Sequence, residues 1–223
     1  MIRTLPEIDV APPASPSLSD IGYEALLDRI LDGTLPAGTV LNERRLAASL
    51  SISRTPVRDA LRRLETEGLV LRRPGQPPTV AEPSIKEFVE TLAVRHVLET
   101  EAARLSVGHI PAAEITAVRA LVLSLLDRGA ATVSETWDID DQVHGLMARH
   151  SDNGHLARLI LEQRRKTHIF DIKRLPKRFL LGCKEHIVIL DALEAGDRDG
   201  AVRAVGGHID NVKNSILKKL QDL

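Results

Sequence analysis

Apolar residues near the start of the chain recur at the spacing of three to four residues that is typical of amphipathic helices. The first predicted helix has Asp20 as its N-cap and ends before a Pro- and Gly-containing turn at 33–38. A second helix is predicted over 43–50, and a third helix over 54–68 follows with Ser53 as its N-cap. Two consecutive short helices joined by a tight turn are typical of a helix-turn-helix.

The pattern changes after residue 68. Short runs of β-forming residues at 69–71 and 79–81 flank the segment 74–78, which contains three prolines and one glycine, so a two-stranded hairpin is predicted. Helix, helix, helix and hairpin in this order indicate a winged helix-turn-helix.

From residue 83 onward the pattern is helical again and has breaks that delimit about six helices, near 108–111, 129–133, 151–154, 175–182 and 196–199. The predicted fold is therefore mainly α, with an N-terminal winged helix-turn-helix and a C-terminal all-α helical bundle. The predicted division is a disordered Pro- and Ser-rich tail over 1–19, a winged domain over 20–82 and a helical domain over 83–223.

The amino-acid composition supports this fold class and also bears on where in the cell the protein is expected. Hydrophobic residues make up 43% of the 223 residues but aromatic residues only 2%, a mixture that favours cores of packed helices. Cys183 is the one cysteine, so no internal disulfide is possible, and no apolar run is long enough to cross a bilayer. The N-terminal tail lacks the pattern of a signal peptide, and a cytoplasmic protein without membrane contact is expected.

The net charge of −1 hides a basic segment. Between Leu41 and Val80 there are eight basic and four acidic residues, a local excess of the kind that attracts DNA phosphates. All eight basic residues are arginines: Arg44, Arg45, Arg54, Arg58, Arg62, Arg63, Arg72 and Arg73. In the third predicted helix, Arg54, Arg58 and Arg62 recur every four residues on one side while apolar residues occupy another.

The segment from Leu46 to Leu61, followed by Leu64-Glu65 and Glu67-Gly68-Leu69-Val70, resembles the DNA-binding signature of the GntR family of regulators, and the resemblance covers about residues 20–81. It implies contacts to double-stranded operator DNA, to phosphates and base edges, from Arg44, Arg54, Thr55 and Arg58, and an approach of the wing tip at Gly75 to the minor groove. The wing departs from the usual family sequence at 76–78. The alternative is that these arginines only solvate a helical surface.

Four further residues are candidates for a metal site. Asp140 and His144 are four residues apart on one face of a predicted helix. His186 and His208 lie at similar distances before and after the break at 196–197, so an antiparallel helical hairpin would place them at one level. Asp and His side chains together suit borderline divalent metals.

The same region resembles the C-terminal ligand-binding domain of FadR-type GntR regulators, the FCD domain, over about 85–222. The residues that carry this resemblance are Asp140 to His144, Asn153, Glu185-His186, Ala192-Leu193, Gly196-Asp197, Ala201 and His208. In metal-containing members the matching Asp and three His bind a divalent cation. The resemblance thus implies a metal held by Asp140, His144, His186 and His208, with zinc favoured and nickel or manganese possible.

Arg95 matches a family arginine near the pocket and is expected to pair with a small carboxylate effector, the alternative being a salt bridge to Glu99. The expected function is that of a transcriptional repressor rather than an enzyme, a homodimer whose DNA binding is modulated by this effector. Two alternatives stay open: a metal-dependent hydrolase, for which no general-base motif is found, and a regulator whose His cluster is purely structural.

Overall fold

The computed structural model describes residues 16–171 and 178–221. The predicted mainly α fold with a winged helix-turn-helix is confirmed. The elements in chain order are α1 Leu18–Leu31, α2 Glu43–Leu50, α3 Arg54–Thr66, β1 Val70–Leu71, β2 Thr79–Val80, α4 Ile85–Ser106, α5 Ala112–Arg128, α6 Val133–Arg149, α7 Gly154–Asp171, α8 Phe179–Glu194 and α9 Arg198–Gln221. We refer to α1 through β2 as the winged domain and to α4 through α9 as the helical domain.

Helix α1 begins earlier than the sequence pattern indicated. Ser17 is its N-cap, and Asp20 is the third helical residue, whose carboxylate accepts a hydrogen bond from the Ser17 backbone N–H at 3.1 Å. This reciprocal capping box satisfies two backbone donors, so the prediction of Asp20 as N-cap was wrong by one turn. The predicted tail therefore ends before Leu18, and its residues 1–15 lie outside the described part of the chain.

The remaining boundaries of the winged domain are close to those predicted. Ser51 adopts a left-handed conformation, with φ of 56°, and makes the tight turn between α2 and α3. The two strands pair antiparallel with Val70 opposite Val80. Gly75 has φ of 73° in the turn between them, where a residue with a side chain would be strained, so the wing tip needs a glycine.

The helical domain packs α4 against α7 and α9, and α8 against α5 and α9. Six helices follow the wing in the described part of the chain, as predicted. Helix α6 begins at Val133 because Thr132 and Glu135 form a capping box. Helix α8 begins at Phe179, inside the predicted break at 175–182, of which residues 175–177 are not described.

The buried side chains form two separate clusters, one in each domain. Helix α7 of the helical domain lies against α1 of the winged domain, so one helix contacts both units. None of the described helices is long and apolar enough to span a membrane.

Candidate metal centre and DNA-binding surface

The third helix presents one buried and one exposed face. Val57, Leu61 and Leu64 are buried in the core of the winged domain. The side chains of Arg54 and Arg58 point away from this core and are 61% and 44% exposed. The helix thereby anchors itself with one face and leaves its basic face accessible.

Glu43, the first residue of α2, holds both arginines of α3. Its carboxylate is 3.4 Å from Arg54 Nη2 and 3.0 Å from Arg58 Nη2, and the hydrogen bonds from Arg58 lower the pKa of Glu43. Sequence reasoning did not single out Glu43, because an acidic residue in a basic segment carries no signal of its own. The contact orients two basic side chains next to the N-terminal end of α3.

The other predicted DNA-contacting residues are also exposed. Thr55 lies in the first turn of α3, where the N-cap Ser53 makes no side-chain hydrogen bond to the free backbone N–H groups. Arg44 and Arg54 line one open groove that continues to Pro77 and Pro78 of the wing. Helix N-termini with free N–H groups and adjacent arginines are well suited to phosphate.

Asp140, His144, His186 and His208 converge in the centre of the helical domain. One ligand atom from each lies within 4.8 Å of all the others, and we refer to these four residues as the Asp/His cluster. Asp140 Oδ1 is the common point, at 3.2 Å from His186 Nε2 and 3.7 Å from both His144 Nε2 and His208 Nε2. The predicted convergence of α6, α8 and α9 is therefore present in the structure.

The cluster fits a divalent cation on two grounds. A metal at about 2.0–2.2 Å from each ligand atom places neighbouring ligand atoms about 3–4 Å apart, as the atoms around Asp140 Oδ1 are. In addition, the Nε2 atoms of His144 and His186 are buried and have no hydrogen-bond partner among the described residues. Leaving such atoms unsatisfied is costly, and a cation would satisfy them.

A ring of charged residues supports the cluster from outside. Glu99 contacts His144 Nδ1, and Glu185 Oε2 lies 2.8 Å from His208 Nδ1. Carboxylates on Nδ1 favour the tautomer that leaves Nε2 free as a ligand. The remaining Asp140 oxygen, Oδ2, accepts a hydrogen bond from Arg164 Nη2 at 2.7 Å.

Burial and these partners set the protonation states. Burial lowers the pKa of His144, and it lowers the pKa of His186 to about 4, so both rings are neutral at neutral pH. Burial alone would raise the pKa of Asp140, but the charge of the adjacent Arg164 guanidinium holds it well below its usual range. Burial lowers the pKa of His208, yet the carboxylates of Asp140 and Glu185 outweigh it and raise the net value.

A cavity of about 90 Å³ lies beside the cluster. Its lining combines the polar groups of Asp140, His186 and His208 with apolar and cationic side chains, Trp137, Ile139, Phe179, Cys183, Val212, Arg95 and Arg178. Arg95 is buried, and its Nε donates to Glu99 Oε1 at 2.6 Å while Nη1 donates to Thr167 Oγ1 at 2.8 Å. Arg95 thus lines the cavity and also makes the salt bridge that was the alternative interpretation.

Two supporting residues were not predicted from the sequence. Arg164 comes from α7, 24 residues after Asp140, and follows no motif that would assign it to the site. Glu185 directly precedes His186, but its contact is with His208 on the next helix. The remaining histidines lie outside the cluster in the described structure, namely His96, His109, His150, His155 and His168.

His168 connects the cavity wall to the winged domain. Its ring stacks on Trp137 with the centroids 3.8 Å apart and the planes 13° from parallel. The ring also interacts with the backbone of Leu31, the last residue of α1, and this interaction favours the protonated form of the ring. Burial lowers the pKa of His168 to about 4.

This shift predicts an acid-sensitive contribution to stability. The unfolded chain takes up a proton at His168 below about pH 6.5, while the folded chain resists protonation until about pH 4. Lowering the pH from about 7.5 to about 5 therefore costs on the order of 2 kcal/mol of unfolding free energy through this residue. Denaturant unfolding in chelator should show that His168→Gln loses this part of the pH dependence, whereas the exposed-site control His155→Gln keeps it. Equal pH dependence in wild type and His168→Gln would contradict the assignment.

Comparison with known proteins places these features in context. Residues 21–80 match the family model for bacterial regulatory proteins of the gntR family, and residues 90–211 match that for the FCD domain. The chain is 28% identical over 184 residues to the Nta operon transcriptional regulator of Aminobacter aminovorans, covering 81% of this chain and 86% of the relative.

Two further similarities agree with this match. A probable D-xylose utilization operon transcriptional repressor of Paenarthrobacter nicotinovorans is 29% identical, with 81% of this chain and 80% of the relative covered. The solved structure of E. coli McbR/YncC superposes with a TM-score of 0.80 at 21% identity, over 92% of this chain and all of that one, which shows a shared fold.

Proposed function

The chain belongs to the gntR family of bacterial regulatory proteins and is a DNA-binding transcriptional regulator with an FCD domain, and we propose that it is a repressor whose operator binding responds to a small carboxylate effector at a metal-containing pocket. The observation that carries the proposal is the Asp/His cluster beside a cavity, in a chain whose winged domain exposes an arginine face. The relative from P. nicotinovorans, named a repressor, supports the direction of control.

In this proposal the operator is contacted by Arg44, Arg54, Thr55 and Arg58, with the wing tip at Gly75 reaching the minor groove. Arg54 and Arg58 are exposed on the N-terminal half of α3, the part of a recognition helix that enters the major groove. Arginine donates two parallel hydrogen bonds to guanine, so these residues provide specificity as well as charge.

The metal would be held by Asp140, His144, His186 and His208, with zinc favoured by the three imidazole nitrogens and one carboxylate oxygen. A cation bound there supplies coordination positions that accept a carboxylate oxygen. Arg95 places its guanidinium at the same cavity. In this proposal Arg95 donates to the second carboxylate oxygen, while Trp137 and Ile139 contact the apolar part of a small acid.

The proposal includes a homodimer, because the DNA contact made by one winged domain is small. One winged domain offers one recognition helix, which gives limited specificity on its own. Two copies on a palindromic operator double the contact, and their separation fixes the half-site spacing that is recognised. As a regulator of chromosomal DNA the protein acts in the bacterial cytoplasm.

A combined measurement tests the proposal on the purified protein. Metal analysis is expected to find about one divalent ion per chain, in line with one four-ligand site. Selection from a random-sequence DNA library is expected to recover a palindromic duplex that gives a specific gel shift. A specific shift without stoichiometric metal would leave the regulator but remove the metal pocket.

Metal without any recovered duplex would instead favour the hydrolase alternative. The structural alternative predicts that chelation lowers stability while DNA affinity stays the same for every small carboxylate tested.

A further inference from the structure

Helix α7 carries two consecutive arginines that point in opposite directions. Arg164 faces the Asp/His cluster, where its Nη2 donates to Asp140 Oδ2 at 2.7 Å. Arg165 faces the winged domain, where its Nη1 lies 2.7 Å from the Tyr23 hydroxyl and 3.2 Å from Glu67 Oε2. One turn of one helix thus contacts both the metal ligand and the DNA-binding domain.

The contact around Tyr23 is sheltered from solvent. The Tyr23 ring is fully buried, its hydroxyl donates to Glu67 at 2.8 Å, and the guanidinium of Arg63 lies 3.5 Å from the ring centroid. Burial and the neighbouring Glu67 raise the pKa of Tyr23 to about 12, so the hydroxyl keeps its proton at neutral pH. Charge-assisted hydrogen bonds of this kind are stronger than exposed ion pairs, and here they join α7 to α1 and to the C-terminal end of α3.

A second connection runs parallel to the first. Trp137 lines the cavity and stacks on His168, which lies one turn after Arg164 and interacts with the backbone of Leu31. In the described part of the chain, Trp137 and His168 thus form a short path from the cavity to the first helix of the winged domain.

From this arrangement we propose that α7 transmits the state of the Asp/His cluster to the winged domain, with Arg165, Tyr23 and Glu67 as the connection through which a bound metal changes DNA affinity. The inference rests on the proposed function, because it concerns how the same site regulates DNA binding. It assigns a role to residues outside both the cluster and the DNA-contacting face.

The physical basis of this transmission is that the Asp140 carboxylate contacts both the imidazoles of the cluster and Arg164 of α7. Its Oδ1 faces the three imidazoles while its Oδ2 is held by Arg164, so a change of charge on the imidazole side alters the force on Arg164. A packed helix responds to such a force as a unit, by a shift of about 1–2 Å against its neighbours. A shift of this size breaks or restores the short Arg165 contact, and coupling between sites requires an element of this kind that both sites bias.

The test uses the full-length protein, a duplex selected by the wild type from random-sequence DNA, and Zn²⁺ alone as the ligand. Wild-type protein is expected to change its affinity for the duplex at least about fivefold between chelator and saturating Zn²⁺, the lower end of usual coupling factors. Arg165→Ala and Tyr23→Phe should reduce this change to less than about twofold while keeping zinc content and chelated DNA affinity. Tyr23→Phe retains the ring, so the winged core stays packed. Arg158→Ala, an exposed arginine on the same helix, is the matched control and should behave as wild type.

Trp137 gives an independent readout, because it is the one tryptophan in the chain. Adding the duplex should change its fluorescence in wild type and Arg158→Ala, and clearly less in Arg165→Ala, where only the connection through His168 is left. A full zinc effect in both Arg165→Ala and Tyr23→Phe would overturn the inference, as would equal wild-type affinities with and without Zn²⁺. Both of those results leave DNA binding in place, whereas failure to select any duplex would count against the proposed function itself.

Discussion

Replacing Arg54 and Arg58 together by alanine is expected to weaken binding to the selected operator duplex by about a hundredfold or more. A bidentate arginine–guanine contact is worth about 1–3 kcal/mol, so two such contacts account for a loss of this order. Both side chains are exposed and leave the core of the winged domain untouched, so the helix content measured by circular dichroism should not change. Gel shifts at one fixed salt concentration measure the effect, because phosphate contacts make affinity strongly salt-dependent.

Arg104→Ala is a suitable control for this experiment. Arg104 lies on α4 and is about as exposed as Arg58, at 47% of its side chain, and it pairs with Glu101 on the same helix. Its loss removes one positive charge per chain without touching α3. If the double variant bound the duplex as tightly as Arg104→Ala does, α3 would not be the recognition helix.

Replacing His144 by alanine should abolish stoichiometric metal binding. If the cluster binds a metal as proposed, the metal stabilises the folded wild-type protein by about 4 kcal/mol when present at a thousandfold excess over its dissociation constant. For a chain of this length that corresponds to a shift of roughly 10 °C in melting temperature. We therefore expect chelator to lower the Tm of the wild type by about this amount and to leave that of His144→Ala unchanged.

The exposed His155→Ala is the matched control, since it removes an imidazole from α7 without touching the cluster. Differential scanning fluorimetry together with metal analysis separates the two effects. A wild-type Tm that does not respond to chelator, with full metal content in His144→Ala, would mean that the cluster does not hold the ion.

The winged domain was the easiest part to predict because its signals are local. A cap, a tight turn and a basic face all lie within short stretches of sequence, and α2 was predicted with the boundaries that the structure has. The error at α1 has a physical cause: both Ser17 and Asp20 are good N-cap residues, and only the capping box between them shows which one occupies that position.

The four residues of the Asp/His cluster could be predicted from helical periodicity and one helical hairpin. The charged residues that contact the cluster, such as Arg164, could not be predicted in this way. Arg164 reaches Asp140 only because α7 packs against α6, and that packing is set by the whole core rather than by any spacing in the sequence. The contact from Arg165 to Tyr23 joins residues 142 positions apart. Long-range contacts of this kind have no periodic signature, so they emerge only from the three-dimensional structure.

The basic segment of the winged domain contains arginine and no lysine between residues 41 and 80. A guanidinium keeps its proton at every physiological pH, and a segment without lysine offers no target for acetylation. The positive charge that attracts phosphate to this surface is consequently the same in weakly acidic and in neutral surroundings and in any acetylation state of the cell. A cell that needs to release the protein from its operator then has to alter its geometry, its amount or the salt around it, since the charge itself is permanent.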